Sequence, residues 1–427
     1  MLALNGIKTV ALIYESANSL VYRGVRERDG RSLIFKLLKE DYPTPSELTR
    51  YKQEYEITKS LDIEGVVKAY SLEPYQRTLV ITLEDFGGLS LKKLLEEGEI
   101  GSENKALSVL EFLKIAIKIT ESLSAIHLAN IVHKDINPAN IVFNRETGQI
   151  KIIDFGISTV LTRENPTLKN PNILEGTLAY ISPEQTGRMN RSLDYRTDFY
   201  SLGVTFYELL TGKPPFNTKD ALELVHCHLA KKPISPREIN SKIPEFLSAM
   251  VMKLMAKTAE ERYQSAYGIK ADLEAGLKQL ENGAENPGIT LGLQDVSDKF
   301  QIPQKLYGRE AEIQTLLTAF RRVAESQSKI ELMLVAGYSG IGKSSLVAEI
   351  YKPITEKRGY FIAGKFDQFQ RNVPYAAVVN AFQGLAKQLL TETEAELNVW
   401  REKLLGALGG NGQVIIDVIP EVELIVG

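Results

Sequence analysis

The chain has 427 residues, which at about 100–200 residues per domain is enough for two to four domains. Its 51 Lys and Arg residues nearly balance its 54 Asp and Glu residues, and a net charge of −3 excludes a protein built to coat nucleic acid or an anionic membrane. The single cysteine excludes a disulfide framework within the chain and favours a reducing, cytoplasmic setting. No apolar run approaches the ~18 residues of a membrane helix, so we expect no transmembrane segment.

The first 86 residues have the pattern of a small β-rich unit. Short apolar runs separated by polar turns predict strands, and one helical pattern lies among them. The predicted strands are Thr9–Tyr14, Leu20–Tyr22, Leu33–Leu37, Val66–Leu72 and Thr78–Leu83, and the predicted helix is Glu47–Leu61.

The hydrophobic period changes after Gly87-Gly88. Lys105–Leu128 is predicted to be a long amphipathic helix, and the pattern stays mostly helical to about residue 280. A strand-rich unit followed by a helix-rich unit predicts an α+β domain over residues 1–280, with a small lobe at about 1–86 and a larger lobe at about 87–280.

Residues 281–303 are polar and turn-forming, without a helical face, and are predicted to be a linker. After them the pattern predicts a helix over Arg309–Val323 and an apolar strand over Glu331–Ala336, which leads into a glycine-rich turn. This order of elements predicts that an α/β domain begins at about residue 304 and extends to residue 427.

Five motifs in a fixed order carry the strongest functional signal. They resemble the eukaryotic-like protein kinase family over about residues 7–278, and the Gly176-Thr177 pair resembles its Ser/Thr-specific members. The resemblance implies a bilobal protein kinase fold and transfer of the ATP γ-phosphoryl group to Ser/Thr hydroxyls of protein substrates. The motifs are His133-Lys134-Asp135-Ile136-Asn137-Pro138-Ala139-Asn140, Asp154-Phe155-Gly156, Gly176–Glu184, Asp198-Phe199-Tyr200-Ser201-Leu202-Gly203, and Arg262, which the resemblance pairs with Glu184.

The same resemblance implies the roles of the catalytic residues. Asp135 would accept or orient the substrate hydroxyl, and Asn140 and Asp154 would hold Mg²⁺ against the phosphates. Lys36 would grip the α- and β-phosphates. Glu54 would hold that lysine from a helix; Glu56 is the fallback, but it would point away on a helix that presents Glu54 inward.

The nucleotide base and the phosphates have their own expected contacts. The resemblance assigns a hinge that reads adenine to Glu84-Asp85-Phe86. The three glycine positions of the phosphate-binding loop are occupied by Tyr14, Ser16 and Ser19, so the conformational freedom of glycine is lost there, although small Ser16 and Ser19 let the backbone approach the phosphates.

Two further departures lie in the catalytic loop. Lys134 replaces an arginine that receives a phosphate bidentately, which predicts activity without activation-loop phosphorylation. Asn137 replaces a lysine that touches the γ-phosphate, which predicts a lower rate. These departures keep open the alternative of a pseudokinase that serves as a scaffold, with the second nucleotide motif as its regulatory switch.

That second motif is a Walker A sequence placed between an apolar run and a helical pattern. Its backbone N–H groups and Lys343 are expected to bind the phosphates of ATP, and Ser344 to bind Mg²⁺. The predicted nucleotide-binding residues are Gly337, Gly340, Gly342, Lys343, Ser344 and Ser345.

The sequence around this motif resembles AAA/STAND-type ATPases, through Leu306-Tyr307-Gly308-Arg309-Glu310-Ala311-Glu312. Val414-Ile415-Ile416-Asp417 resembles the second, carboxylate-ending strand of such domains, but no second carboxylate follows it. We therefore expect an incomplete P-loop domain that binds a nucleotide, with hydrolysis doubtful. The tandem resembles the N-terminal part of bacterial multi-sensor Ser/Thr–histidine hybrid kinases, which implies histidine-kinase or response-regulator modules as partners and no nucleic acid.

Overall fold

The computed structural model describes most of the chain. The described ranges are residue 4 and residues 6–16, 18–39, 43–101, 106–160, 176–186, 193–218, 220–284, 286–296, 308–325, 330–338, 340–350, 353–354, 359–364, 375–390, 394–409 and 412–426. Some residues of the motifs and of the predicted linker lie outside these ranges, namely Leu306, Tyr307, Ser339 and 297–303.

The first lobe is built on a five-stranded antiparallel sheet with the strand order β1-β2-β3-β5-β4. In its register, Lys36 on the central strand lies between Val21 and Ile81. Val66 lies before β4 and makes a single parallel bridge to Ile152. The strands are β1 (Ile7–Glu15), β2 (Ser19–Arg26), β3 (Ser32–Leu38), β4 (Ala69–Tyr75) and β5 (Thr78–Glu84).

One helix, α1 (Pro45–Ser60), packs on this sheet. It begins at a capping box in which the Thr44 side chain accepts from the Glu47 N–H and the Glu47 carboxylate accepts from the Thr44 N–H. Tyr51 and Tyr55 pack with sheet residues in a small apolar cluster. This packing turns the face that carries Glu54 toward the sheet, because residues 51, 54 and 55 lie on one side of a helix.

The second lobe is mainly helical around a large apolar core. Its central helices α3 and α4 are almost completely buried on their inner faces, and Phe112 of α3 meets Phe206 of α4 edge to face, with 5.1 Å between ring centroids. No helix in the described ranges is both long and apolar enough to cross a bilayer. The helices are α2 (Leu91–Glu96), α3 (Val109–Leu128), α4 (Arg196–Thr211), α5 (Ala221–Ala230), α6 (Pro236–Ile239), α7 (Glu245–Leu254) and α8 (Ala266–Glu281).

Short strands, one before α2 and the others between α3 and α4, hold the loops that carry Asp135 and Asp154. They form a three-stranded sheet of order β6-β8-β9 and a two-stranded pairing of β7 with β10. The strands are β6 (Leu89–Ser90), β7 (Ile131–Val132), β8 (Ile141–Phe143), β9 (Ile150–Ile152) and β10 (Thr159–Val160). The loop between β7 and β8 therefore has both of its ends fixed by strand pairing.

Part of the predicted linker, residues 286–296, packs on the helical lobe. Ile289 and Leu291 contact the edge of its apolar core. The Asp295 carboxylate accepts hydrogen bonds from the Ser265 N–H at 2.8 Å and the Ser265 hydroxyl at 3.0 Å, just where α8 begins. A Cβ added to Gly268 in the first turn of α8 would lie 2.6 Å from the Asp295 Cβ, so only glycine fits there.

In the described part of residues 308–426, the regular secondary structure consists of helices joined by irregular segments. The predicted strand over Glu331–Ala336 is wrong: this segment has no regular secondary structure, and Leu332 and Leu334 are 97% and 91% exposed. A strand needs a neighbour for its N–H and C=O groups, and among the described residues none pairs with it. The helices are α9 (Glu310–Glu325), α10 (Lys343–Ala348), Ala376–Leu389, Glu394–Leu408, Gly412–Val418, which contains the Val414–Asp417 segment, and Glu423–Val426.

Candidate functional site

Lys36 is the centre of a charged cluster that joins the two lobes, in which the Asp154 side chain is 42% exposed. Its Nζ donates to Glu54 Oε1 of α1 at 2.5 Å and to Asp154 Oδ1 of the helical lobe at 3.0 Å. Lys36 and Glu54 are 8% and 7% exposed, whereas Glu56 is exposed. The structure thus brings together three residues that are 18 and 118 positions apart, and it places Glu54, not Glu56, against the lysine.

The charges of this cluster shift the pKa of each member. Burial alone would lower the pKa of Lys36, but the charges of Asp154 and Glu54 outweigh it and raise that pKa above its ordinary value. Partial desolvation would raise the pKa of Asp154, but Lys36 lowers it below the ordinary value. Burial raises the pKa of Glu54, which shares its lysine with a second carboxylate. Lys36 is therefore charged and Asp154 ionised at neutral pH.

Asp135 lies in the loop between β7 and β8 with its carboxylate held from two sides. Its Oδ1 accepts from the Thr177 N–H at 2.9 Å, and its Oδ2 accepts from Asn140 Nδ2 at 2.8 Å. The amide of Asn137 supports the same loop: it donates to the Asp135 C=O and the Thr177 hydroxyl, and accepts from the Ala139 N–H. Because both of its oxygens accept hydrogen bonds, the Asp135 carboxylate is held in one orientation.

A buried aspartate at the start of α4 fixes the backbone before Asp135. Asp198 is fully buried and accepts from the N–H groups of His133 at 2.8 Å and Lys134 at 2.7 Å. Lys134 is held in the left-handed region at φ 69°, which is rare for a residue with a side chain. The sequence motif marked Asp198 as the start of a helix but not as the anchor of this loop.

Asp154 is itself held in a strained conformation. Its φ is 66°, in the region that ordinary residues avoid, and such strain is typical of functional sites. The following Phe155 is buried against the His133 ring, with 4.8 Å between ring centroids, and His133 Nε2 lies 3.0 Å from the Ile153 C=O. His133 thus supports the backbone around Asp154.

Asn140 and Asp154, the residues expected to hold Mg²⁺, each have a side-chain oxygen that is not used in a hydrogen bond with the described residues. The Asn140 amide nitrogen and Asp154 Oδ1 are used in hydrogen bonds, while within the described part of the chain neither Asn140 Oδ1 nor Asp154 Oδ2 accepts one. Amide and carboxylate oxygens are hard ligands that suit Mg²⁺. The donor set therefore fits this ion.

The hinge between the lobes uses its side chains for structure. Glu84 Oε2 accepts from Lys151 Nζ at 2.7 Å. Asp85 accepts from the Ser32 hydroxyl at 2.6 Å and is paired with Arg23 at 2.7 Å. The Phe86 C=O accepts from Asn144. The carboxylates of Glu84 and Asp85 are thus engaged in contacts within the chain.

Ser16 and Ser19 lie at the turn between β1 and β2. Ser19 ends the β2–β3 ladder opposite Leu38, two residues before Val21, which pairs with Lys36. Their two hydroxyl oxygens are 2.9 Å apart. The two serines therefore lie at the end of the sheet nearest the Lys36 cluster.

The predicted pair of Glu184 and Arg262 is confirmed. The Arg262 side chain is fully buried, and its two terminal nitrogens lie 2.6 and 2.8 Å from the two oxygens of Glu184. Arg262 also donates to the Arg196 C=O at the start of α4. The pair ties the segment after Asp135 to the core of the helical lobe.

The Walker A segment forms a compact turn. Gly340 and Gly342 have φ angles of 82° and 91°, which favour glycine, and Lys343 Nζ donates to the C=O groups of Gly337 and Tyr338 at 2.9 and 2.8 Å. Ser344 and Ser345 follow in α10 and are exposed. A cavity of about 320 Å³ beside the turn is lined by Lys343 together with Arg309, Leu316, Met333, Leu334 and Ile341.

Comparison with protein families agrees with this architecture. Residues 10–272 match the model of the protein kinase domain, and residues 305–422 match that of an AAA ATPase domain. The first match covers more than half of the chain, which therefore belongs to the protein kinase family.

Curated relatives include kinases of two kinds. Hybrid signal transduction histidine kinase G of Dictyostelium discoideum is 34% identical over 408 residues, covering 75% of this chain and 12% of that protein. Probable serine/threonine-protein kinase CPE1738 of Clostridium perfringens is 31% identical, covering 70% of this chain and 41% of its own length. Serine/threonine-protein kinase PknB of Mycobacterium tuberculosis is 29% identical, covering 61% and 42%. The chain thus spans less than half of the length of each of these relatives, and its kinase domain is of the serine/threonine type.

Proposed function

We propose that the chain transfers the γ-phosphoryl group of ATP to serine and threonine hydroxyls of proteins, as part of bacterial signal transduction. The observation that carries this proposal is the contact of Lys36 with both Glu54 and Asp154. In protein kinases this lysine–glutamate pair and the aspartate must both be in position for phosphoryl transfer.

The residues of the cleft suit the steps of that reaction. Lys36, charged and close to the lobe boundary, binds the α- and β-phosphates, while the hinge backbone at Glu84 and Phe86 receives the adenine. Asp135 orients the hydroxyl of the protein substrate and accepts its proton. Asn140 and Asp154 hold Mg²⁺, which when bound neutralises the charge on the phosphates. The Asn137 side chain carries no positive charge to stabilise the γ-phosphate, so we expect a modest rate of phosphoryl transfer.

A labelling experiment with matched variants on one helix tests this proposal. The full chain is incubated with [γ-³²P]ATP, Mg²⁺ and a protein substrate such as casein, and phosphoamino acids are analysed. Glu54→Gln should reduce labelling at least about tenfold because Lys36 loses the carboxylate that holds it from α1, and Asp154→Ala should reduce it to background. Glu56→Gln, on the exposed face of the same helix, should match the original chain.

The pseudokinase alternative predicts a different result from the same experiment. A scaffold would give equal, background labelling with the original chain and with Asp154→Ala. That outcome would refute the kinase proposal even if ATP bound to the cleft. Labelling confined to phosphotyrosine would refute the proposed Ser/Thr specificity alone.

We further propose that the Walker A segment binds a second ATP molecule. Lys343 would leave its backbone acceptors to neutralise the β- and γ-phosphates, Ser344 would bind Mg²⁺, and the N–H groups near Gly340, Gly342 and Ser345 would approach the phosphates. The positive φ angles of the turn and the neighbouring cavity with its apolar wall support this assignment.

The stoichiometry of ATP binding distinguishes the two sites. Calorimetry on the full chain should give two sites, and each of Lys36→Met and Lys343→Ala should leave one. If neither substitution changes the stoichiometry, both site assignments are wrong. If only Lys36→Met changes it, the second module does not bind the nucleotide.

The relative named as a hybrid histidine kinase supports a further proposal about partners. We infer that this chain operates in the cytoplasm with a histidine-kinase or response-regulator module. Phosphotransfer from the chain to a purified response regulator, or a change in a histidine kinase's autophosphorylation when this chain is added, would test it. No change in either reaction would refute it.

A further inference from the structure

In the turn between β1 and β2, a serine hydroxyl accepts hydrogen bonds from two backbone N–H groups. Ser16 Oγ accepts from the Ser19 N–H at 2.9 Å and from the Asn18 N–H at 3.3 Å. Ser16 occupies a position where the phosphate-binding loop of kinases has glycine, a residue with no side chain to make such bonds. The arrangement is therefore particular to the serine in this loop.

The rest of the turn keeps the hydroxyl in place. The Ser16 N–H donates to the Ser19 C=O at 2.9 Å, and the Asn18 C=O accepts from the Lys39 N–H of the chain after β3 at 2.9 Å. Ser19 is buried, and its hydroxyl lies 2.9 Å from that of Ser16. The described residues of the turn are thus hydrogen-bonded to one another and to the residue that follows β3.

The donors that Ser16 occupies belong to the loop that covers the phosphates in this class of enzyme. Successive backbone N–H groups in a turn form a concave site for an anion. An N–H group makes one strong hydrogen bond at a time, so the Ser16 oxygen and a phosphate oxygen cannot both use the Asn18 and Ser19 donors fully. A charged phosphate oxygen is the stronger acceptor, but it must displace the hydroxyl first.

We propose that the Ser16 hydroxyl is an intramolecular competitor of the ATP phosphates at the kinase site. The inference rests on the proposed function, because it assumes that ATP binds in this cleft. Ser16 then sets how much the triphosphate contributes to the affinity of the site for ATP. It weakens the binding of ATP relative to the binding of adenosine, because adenosine has the same base and ribose but no phosphate to compete for the two N–H groups.

Two ligands and two variants test this inference. Binding of Mg²⁺–ATP and of adenosine is measured by calorimetry on the full chain carrying Lys343→Ala, so that the Walker A site does not contribute. Ser16→Ala removes the competing oxygen and should tighten ATP binding about 3–10-fold, the usual range for one or two neutral hydrogen bonds, and leave adenosine binding unchanged. Ser19→Ala removes the hydroxyl next to Ser16 but keeps the Ser16 contacts to both N–H groups, so it should tighten ATP binding less than Ser16→Ala does and leave adenosine binding unchanged.

The outcomes separate this inference from the proposed function. If Ser16→Ala binds adenosine normally but binds ATP no more tightly or more weakly, the hydroxyl shapes the loop for phosphate and the inference is wrong, while the nucleotide site stands. If Ser19→Ala tightens ATP as much as Ser16→Ala does, competition by Ser16 is not the cause. If the chain binds neither ligand, the proposed nucleotide site fails, and the inference fails with it. Unchanged adenosine binding also reports that each variant is folded.

Discussion

The carboxylate of Glu184 and the guanidinium of Arg262 form a bidentate ion pair inside the helical lobe, where Arg262 has almost no exposed surface. The pKa of Glu184 is lowered below its ordinary value: burial alone would raise it, but the charge of Arg262 outweighs this effect. The pair connects the segment that follows the catalytic loop to the start of α4. Its contribution to stability depends on both partners being present.

Arg262→Ala should therefore destabilise the kinase domain strongly. We expect a loss of about 3–5 kcal/mol in the free energy of unfolding, because Glu184 is left as an unpaired buried charge. Urea unfolding followed by circular dichroism measures this loss. The double variant Glu184→Gln with Arg262→Met should recover much of it; a double variant as unstable as the single one would contradict the assignment of the cost to the unpaired charge.

The strap formed by residues 286–296 should stabilise the kinase domain. Asp295 accepts from the backbone N–H groups of Gln264 and Ser265, and its side chain is 6% exposed. Asp295→Ala should lower the free energy of unfolding by about 1–3 kcal/mol, since these donors lose a charged acceptor. Gln294→Ala, whose side chain makes one exposed hydrogen bond to Tyr267, is the matched control and should change it by less than about 0.5 kcal/mol.

Trp400 gives this experiment a second readout. It is the only tryptophan of the chain and packs against Tyr360 in the segment that matches the ATPase family. Its fluorescence should be unchanged by Asp295→Ala if the strap belongs to the kinase domain. A shift in the Trp400 transition as large as that seen by circular dichroism would contradict this assignment.

His228 should make the kinase domain sensitive to acid. Burial, with a smaller effect of Lys257, lowers the pKa of His228 from 6.5 to about 3, and the neutral ring bonds the Tyr200 hydroxyl at 3.0 Å. The stability that comes from the neutral ring is complete above pH 6.5, and it is lost as the pH falls toward 3 because the unfolded chain takes up the proton first. Between pH 7 and pH 5 this loss amounts to about 2 kcal/mol.

Unfolding measured at both pH values tests this effect. His228→Gln should reduce the difference in the free energy of unfolding between pH 7 and pH 5, even if it lowers stability at both. His226→Gln, on the same helix but only half-buried, is the control and should retain the difference. An unchanged pH dependence in His228→Gln would contradict the prediction.

Activity should not depend on phosphorylation of the segment between Asp154 and Glu184. The Lys134 ammonium already contacts the Thr159 hydroxyl, and it lacks the fork of donors with which arginine holds a phosphate. Protein treated with a phosphatase, and shown by mass spectrometry to carry no phosphate, should keep its initial rate within roughly twofold. A large loss that reverses on rephosphorylation would contradict this expectation.

The strand and helix pattern of the kinase domain could be predicted because local periodicity and motif order agree there. Lys36 was located by its strand, and Glu54 was preferred to Glu56 from the geometry of one helix face. The strand expected at Glu331–Ala336 was wrong for a physical reason. An apolar run favours a strand only when a neighbouring strand can pair with it, and such pairing is a property of the tertiary structure.

The sequence by itself determined which chemical groups the protein has: the kinase motifs, the Walker A lysine, and the serines in place of glycines at the β1–β2 turn. Only the tertiary structure decided how those groups are used. It brought Asp198 under the backbone of Lys134, engaged the Asn18 and Ser19 N–H groups with the Ser16 hydroxyl, and packed residues 286–296 against the start of α8. These are contacts of backbone groups, and a backbone N–H is the same at every residue except proline, so the residue letters do not reveal its partner.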